Sequence, residues 1–327
     1  MRTIRFGILA TGDIAARLAD TIATVENAEV LAVGSRTLEK AQAFADAHNI
    51  ERAYGSYEEL CADPDVDIIY VATPHSHHYE NMLMCIEHNK NILCEKSFTV
   101  NADQAKDIAK RAKEKGLFVM EALWVRFHEP TIHAIETAKD GRLGDIRMVT
   151  VTFGRVSPDV RGEADRYNRP ALAGGAILDL GCYTTHAIEM LFNEEKPVKI
   201  LTSGTIEDGI DTQSSIILEY PNHKTVTMML AFRSYMTRHF TVNGSVGRME
   251  AIFPTCMNAK ITMLSGECED IALPQPENNH KAEIVHVVDC LNKGLTNSPI
   301  CPIESTIQVM EILDECRRQW GLVYPCE

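Results

Sequence analysis

Apolar and polar positions run along this chain in two regimes. In the first, short apolar runs alternate with amphipathic helical patterns. Ile4, Phe6, Ile8 and Leu9 mark a buried strand, and a helix follows from Asp13 with Ile14, Leu18 and Ile22 on one face. A second strand spans 28–34, and Thr37 precedes a helix from Leu38 to His48. Ser56-Tyr-Glu-Glu59 is a capping box for a short helix that stops near Asp63-Pro64. Strand 67–72, helix 78–88, strand 91–95, a helix capped by Asn101 and ended by Gly116, and strand 117–120 complete the series. Strands that are apolar throughout and separated by helices predict a parallel sheet covered on both faces. Residues 1–122 therefore read as a doubly wound α/β (Rossmann) domain.

The regime changes after Glu121. A helix over 130–139 leads to a strand over 145–153 with antiparallel-type alternation, loop-like residues 154–175 and a helix over 176–192. Strands then crowd together at 198–205, 212–220, 224–232, 238–243, 247–252 and 259–264. Hairpin turns fall at Pro221-Asn-His223 and Asn243-Gly-Ser245, and helices at 280–293 and 304–319 close the chain. Residues 123–327 read as an α+β domain with a large open, mostly antiparallel sheet. Met228, Leu230, Phe232 and Phe240 alternate on it, and helices can cover only one side. The other side is expected to pair with a second copy, as a homodimer or homotetramer.

Composition narrows the class. The net charge of −14 over 327 residues opposes a nucleic-acid surface, which needs a basic excess. No apolar run approaches the ~20 residues of a membrane span, and no signal-peptide pattern follows Met1-Arg2. Ten cysteines include no C-x-x-C pair, so reduced core thiols in a cytoplasmic protein are expected.

Candidate chemistry clusters at the strand ends. The first strand breaks at Ala10-Thr11-Gly12 and a helix opens at Asp13-Ile14. That is the anion-binding turn of dinucleotide folds, with Ala10 where the first glycine is usual; its methyl fits if φ stays below zero. The second strand ends in Ser35 and Arg36, with Lys40 one turn on. A hydroxyl and cations without a carboxylate suit the 2′-phosphate of NADP, with NAD possible. Thr73, Pro74, His75 and His78 follow a central strand and should face the cofactor. The loop spacing of the histidines scatters them, so no metal is expected. Glu95 and Lys96 end the next strand, where a lysine can polarise a carbonyl or donate a proton. In Gly174-Gly-Ala-Ile-Leu-Asp179-Leu-Gly-Cys-Tyr183-Thr-Thr-His186, Asp179 and Tyr183 share a helical face and His186 falls close by. Tyr183 can protonate a developing alkoxide if the Lys96 cation lowers its pKa.

These stretches, with Ala72-Thr-Pro74 and Glu121-Ala-Leu-Trp124-Val-Arg126-Phe127, resemble the glucose–fructose oxidoreductase/inositol dehydrogenase family over essentially the whole chain. Trp124 to Phe127 and the tyrosine at 183 resemble its dimeric dihydrodiol dehydrogenase branch; inositol-type members have histidine at the latter position. The resemblance implies that Lys96 is the central catalytic lysine, Tyr183 the general acid and Asp179 an active-site carboxylate. Trp124, Arg126 and Phe127 would border the substrate. The family's usual Glu-Lys-Pro is here Glu95-Lys96-Ser97. The expected activity is hydride transfer between a nicotinamide cofactor and a secondary alcohol or ketone of a sugar, polyol or cyclic diol. A non-catalytic NADP(H)-binding regulatory protein and an NAD-assisted glycoside hydrolase are the alternatives.

Overall fold

A computed structural model describes residues 1–156, 166–193 and 195–327. The chain forms two compact units, Met1–Trp124 with Asn278–Ile307, and Val125–Glu277 with Gln308–Glu327.

The first unit alternates strand and helix: β1 (Ile4–Leu9), α1 (Asp13–Ile22), β2 (Ala28–Gly34), α2 (Leu38–His48), β3 (Arg52–Tyr54), α3 (Tyr57–Ala62), β4 (Ile68–Val71), α4 (His78–Glu87), β5 (Asn91–Glu95), α5 (Ala102–Lys115) and β6 (Val119–Ala122). Its six strands pair in the order β3-β2-β1-β4-β5-β6, all parallel. Ile4, Phe6, Ile8, Leu9 and the whole of β4 are fully buried, as expected for strands covered on both faces. The expected caps at Ser56 and Asn101 hold, and Thr37 proves to be a cap as well. Thr37, Ser56 and Asn101 accept from the N–H groups of Lys40, Glu59 and Gln104, and Gly116 takes the left-handed conformation that ends α5. Glu59 turns its side chain to the Gly55 N–H, at 3.1 Å. The short edge strand β3 adds to the strands expected. Its three residues are half-buried and lack an apolar run, and Arg52 is held outside by Asp63 and Asp65.

The second unit begins with α6 (Glu129–Lys139) and β7 (Ile146–Gly154). It continues through α7 (Cys182–Phe192), β8 (Lys199–Glu207), β9 (Ile210–Tyr220), β10 (Lys224–Ala231), β11 (His239–Gly244), β12 (Gly247–Ile252), β13 (Met257–Met263) and β14 (Cys268–Asp270). These eight strands pair in the order β14-β13-β12-β11-β7-β10-β9-β8, antiparallel except between β7 and β10. One face carries Val149, Val151, Met228, Leu230, Phe240 and Val242 into the core. The opposite face carries Met148, Ile217, Met229 and Ile252, all exposed. Of the loop-like stretch 154–175, residues 157–165 lie outside the described residues; 3-10 turns follow at Arg166–Asn168 and Pro170–Leu172.

α8 (Lys281–Asn292) and α9 (Ile303–Trp320) close the chain. α8 was expected in the second domain but packs on α1 and β1, burying Ile284, Val287 and Val288. Asn278 Nδ2 donates to Thr21 Oγ1 at 2.9 Å and ties this return segment to α1.

Candidate active site

The sheet of the first unit reverses its strand order between β1 and β4, and ligands of open α/β sheets gather outside the carboxyl ends at that point. The turn after β1 is built for an anion. Gly12 caps α1 with extended backbone and no side-chain hydrogen bond, and no heavy atom lies within 4 Å of where its Cβ would stand. The first-turn N–H groups of a helix have no intrahelical partner, and the room beside Gly12 leaves space for a diphosphate to approach them. Thr11 and Ile14 are half-buried beside it, and Asp13 is exposed in the first turn. Ala10 departs from expectation: its φ is 95° rather than negative. The sharp exit from β1, with Ala10 N–H donating to Gly34 O at 3.0 Å, demands a conformation natural to glycine. An alanine there carries about 1–3 kcal/mol of backbone strain.

At the end of β2, Ser35 is buried, and its N–H donates to Tyr54 O at 3.1 Å. Arg36 and Lys40 are exposed, and neither side chain forms an ion pair among the described residues. After β4, Thr73 is buried, with its Oγ1 accepting from Asn81 Nδ2 at 3.0 Å. Pro74 leads into a 3-10 turn, His75–His77. His75 is buried, edge-on to His78 at 5.8 Å. His78, expected to line the cofactor, is instead fully buried with both ring nitrogens against backbone carbonyls. Among the described residues no group of three or more His, Cys, Asp or Glu side chains could hold a metal ion.

Glu95 and Lys96 are each only 9% exposed at the end of β5. Glu95 Oε1 accepts from Tyr70 Oη at 2.5 Å, so it is engaged from inside the sheet. Burial, and then the Glu95 charge, push the Tyr70 phenol well above its usual range. The Lys96–Ser97 peptide is cis. Just beyond it, Phe98 N–H donates to Glu121 Oε1 at 3.0 Å, and Thr306 Oγ1 donates to Glu121 Oε2 at 2.9 Å. The loop carrying the lysine is thus held by buried hydrogen bonds on several sides. Trp124 is half-buried, edge-on to His280 at 6.0 Å.

The second unit carries the other candidates. The helix expected to run evenly from 176 starts as a π-helical turn, Ile177–Gly181, before α7. The i,i+4 relation between Asp179 and Tyr183 therefore does not hold as for a regular α-helix, and such turns recur at functional sites. Asp211 of β9 meets the start of this turn, its Oδ2 accepting from Ile177 N–H at 2.7 Å. Gly175, at φ 115°, leaves room for that carboxyl, which a Cβ would strike. Burial pushes Asp211 up to about 8.

Asp179 is buried and pairs with Arg155 Nη2 at 3.1 Å. The Arg155 guanidinium lies 3.9 Å from the Tyr167 ring centroid. Burial and the Asp179 charge raise the Tyr167 pKa, but Arg166 and Arg155 outweigh them and bring it below the usual phenol value. Tyr183 is half-buried, edge-on to Phe153 at 5.9 Å. Arg126, His186 and Glu189 come together: Arg126 Nη1 donates to Glu189 Oε2 at 2.5 Å and lies 3.2 Å from His186 Nδ1. All three are buried, as is Phe127. The sequence reading missed Glu189, Arg155, Tyr167 and Asp211. Only Glu189 left a trace, as a carboxylate in the apolar run from Ala187 to Phe192.

Residues 4–123 match the family model described as an oxidoreductase family with NAD-binding Rossmann fold, and residues 132–250 match the GFO/IDH/MocA C-terminal domain. The chain is 34% identical to trans-1,2-dihydrobenzene-1,2-diol dehydrogenase of Macaca fascicularis and 32% identical to that of Homo sapiens, covering 98% of each pair. Among solved structures it resembles aldose-aldose oxidoreductase from Caulobacter crescentus complexed with glycerol, with TM-score 0.86, 24% identity and 98% of both chains covered. It also resembles the 3-ketoreductase KijD10 from Actinomadura kijaniata in complex with NADP and TDP-benzene, with TM-score 0.84, 24% identity and 97% and 98% covered. At these identities the two structures speak for the fold. The sequence matches go further: the chain belongs to the GFO/IDH/MocA family of NAD(P)-binding oxidoreductases.

Proposed function

We propose that this protein moves a hydride between NADP(H) and the secondary carbinol or ketone carbon of a sugar, polyol or cyclic diol. The observation that carries the reading is Lys96, nearly buried at the carboxyl end of β5 in a loop held by Glu95 and Glu121. Bound NADP(H) supplies the hydride acceptor or donor at nicotinamide C4. The N–H groups at Gly12 would hold its diphosphate, and Ser35, Arg36 and Lys40 its 2′-phosphate. Lys96 hydrogen-bonds the reacting oxygen and offsets its growing negative charge. In reduction Tyr183 delivers the proton to that oxygen; in oxidation Tyr183 or Lys96 takes it from the alcohol. Asp179, paired with Arg155, is the active-site carboxylate. Trp124, Arg126, Phe127 and His186 are assigned to the surroundings of the substrate. The Arg126–Glu189 pair suits Arg126 to fixing that wall rather than to direct contact.

Fluorescence titration should show NADPH binding more tightly than NADH, and Arg36→Asp should weaken NADPH binding about 10–100-fold, the value of a charge-assisted contact. Preference for NADH in the wild type, or an indifferent variant, would overturn the assignment. A screen of polyols and cyclic diols with the bound cofactor then tests turnover.

We also assign the exposed face of the second sheet to contact with a second copy. Thr150, Thr152, Met229, Thr241 and Ile252, with Arg238 and Glu250, line a groove of about 1160 Å³ there, and a face mixing exposed apolar side chains with charges of both signs suits a self-complementary interface. Sedimentation should give a dimer or tetramer that Met229→Glu converts to monomer; a monomeric wild type would refute it. The ten free thiols and the lack of any helix, among the described residues, long and apolar enough to cross a membrane support a cytoplasmic setting.

A further inference from the structure

The loop after β4 and the loop after β5 meet on a single imidazole. His78, the first residue of α4, is completely buried. Its Nδ1 lies 2.8 Å from Ser97 O and 3.3 Å from Phe98 O, and its Nε2 lies 2.7 Å from Thr73 O. Carbonyl oxygens only accept, so each ring nitrogen facing one needs a hydrogen, and imidazole carries two only as the imidazolium. We propose that His78 is a positioning residue that works as an imidazolium. Its Nδ1–H pins the carbonyl directly after Lys96, and its Nε2–H pins Thr73 in the loop assigned to the cofactor. Lysine and cofactor loop thus share one anchor. The assignment rests on the reading of Lys96 as the catalytic lysine.

The surroundings suit a buried cation. Three carbonyl dipoles point at the ring, and hydrogen bonds from a charged donor are the strong kind. The ionisable groups of the neighbouring elements are His75, edge-on to the ring, Lys96 itself, and Cys94, whose Sγ donates to the same Phe98 carbonyl at 3.8 Å. Glu95 and Glu121 lie on the same loop's other side, accepting from the N–H groups of Lys96 and Phe98. Asp107 of α5 and Glu58 of α3 are engaged elsewhere, by Tyr79 and His88.

Two amide side chains separate the two anchors. Asparagine can place an N–H where Nδ1 stands, and glutamine where Nε2 stands. His78→Gln should therefore lower kcat about 10–100-fold, the cost of a reacting group misplaced by about 1 Å, with little change in NADPH Kd. His78→Asn should recover most of kcat but weaken NADPH binding several-fold. His77→Gln, at an exposed position, is the control and should match wild type. In ring-nitrogen NMR of histidine-labelled wild type near neutral pH, His78, assigned by the signals its variants lose, should show hydrogens on both nitrogens. Parallel losses in both variants, no loss in either, or one bare ring nitrogen overturns the proposal. If the variants fail to fold, through-bond assignment of the wild-type ring signals to the His78 backbone identifies them and decides it. A fully active Lys96→Met would instead fail the functional reading and leave the ring signals unaffected.

Discussion

Lys96→Met should lower kcat/KM by at least about 10²–10⁴-fold, the usual contribution of a positioned acid–base group. Methionine keeps the length and apolar stem of lysine, so packing at this nearly buried site is largely preserved. NADPH affinity should then change by no more than about tenfold, and the melting temperature little. Tyr183→Phe should also be impaired. If the two residues act on one oxygen, the double variant should be far less impaired than the product of the single losses, because groups acting as a unit are not additive. Unchanged turnover in Lys96→Met with every polyol and diol tried would end the assignment. Multiplicative losses would confine each residue to a separate role.

The second large effect concerns stability. Glu283 on α8 is fully buried, neither carboxyl oxygen has a hydrogen-bond partner, and His280 Nδ1 lies 3.7 Å away. Burial pushes its carboxyl up to about 7 against the His280 interaction, with Glu95 and Glu121 adding to the rise. A folded pKa above the unfolded value means that the stabilising contribution is present below the unfolded pKa of 4.5 and is lost as pH rises through about 7. The full change is about 3 kcal/mol, from a shift of roughly 2.5 pH units at 1.36 kcal/mol each. Glu283→Gln cannot ionise, so its urea-unfolding stability should fall less between about pH 5 and about pH 8 than that of the wild type. Equal slopes in the two proteins would refute this, whatever their absolute stabilities.

What could be read from the chain follows the range of the interactions involved. The three helix caps were legible because Thr37, Ser56 and Asn101 act on N–H groups three residues away. The apolar runs of β1, β4 and β5 likewise declare a buried parallel sheet locally. The interactions that shape the site are distant in sequence. Asp211 holds the Ile177 N–H at the start of the π turn, Arg155 reaches Asp179, Glu121 holds both Phe98 and Thr306, and Arg126 reaches Glu189. Read alone, Asp211, Arg155 and Glu121 are ordinary charges; Asp179 and Arg126 stand out in the sequence, but their partners do not. His78 shows the same limit from the other side. The pattern placed its loop beside the cofactor strand ends, but only the packed fold shows the ring turned inward. The sequence shows the methyl of Ala10, whereas the path of the backbone toward Gly34 sets its conformation.

The return of α8 to the first unit bears on how the protein is made. β6 ends at Ala122, yet the helix that covers β1 and α1 begins only at Lys281. At ribosomal rates of about 5–20 residues per second, the nascent sheet waits on the order of ten seconds for that cover. Until then the surfaces of β1 and α1 that α8 buries lack that cover. In order of synthesis, the nucleotide-binding unit is begun first and closed only after the sheet of the second unit has been made.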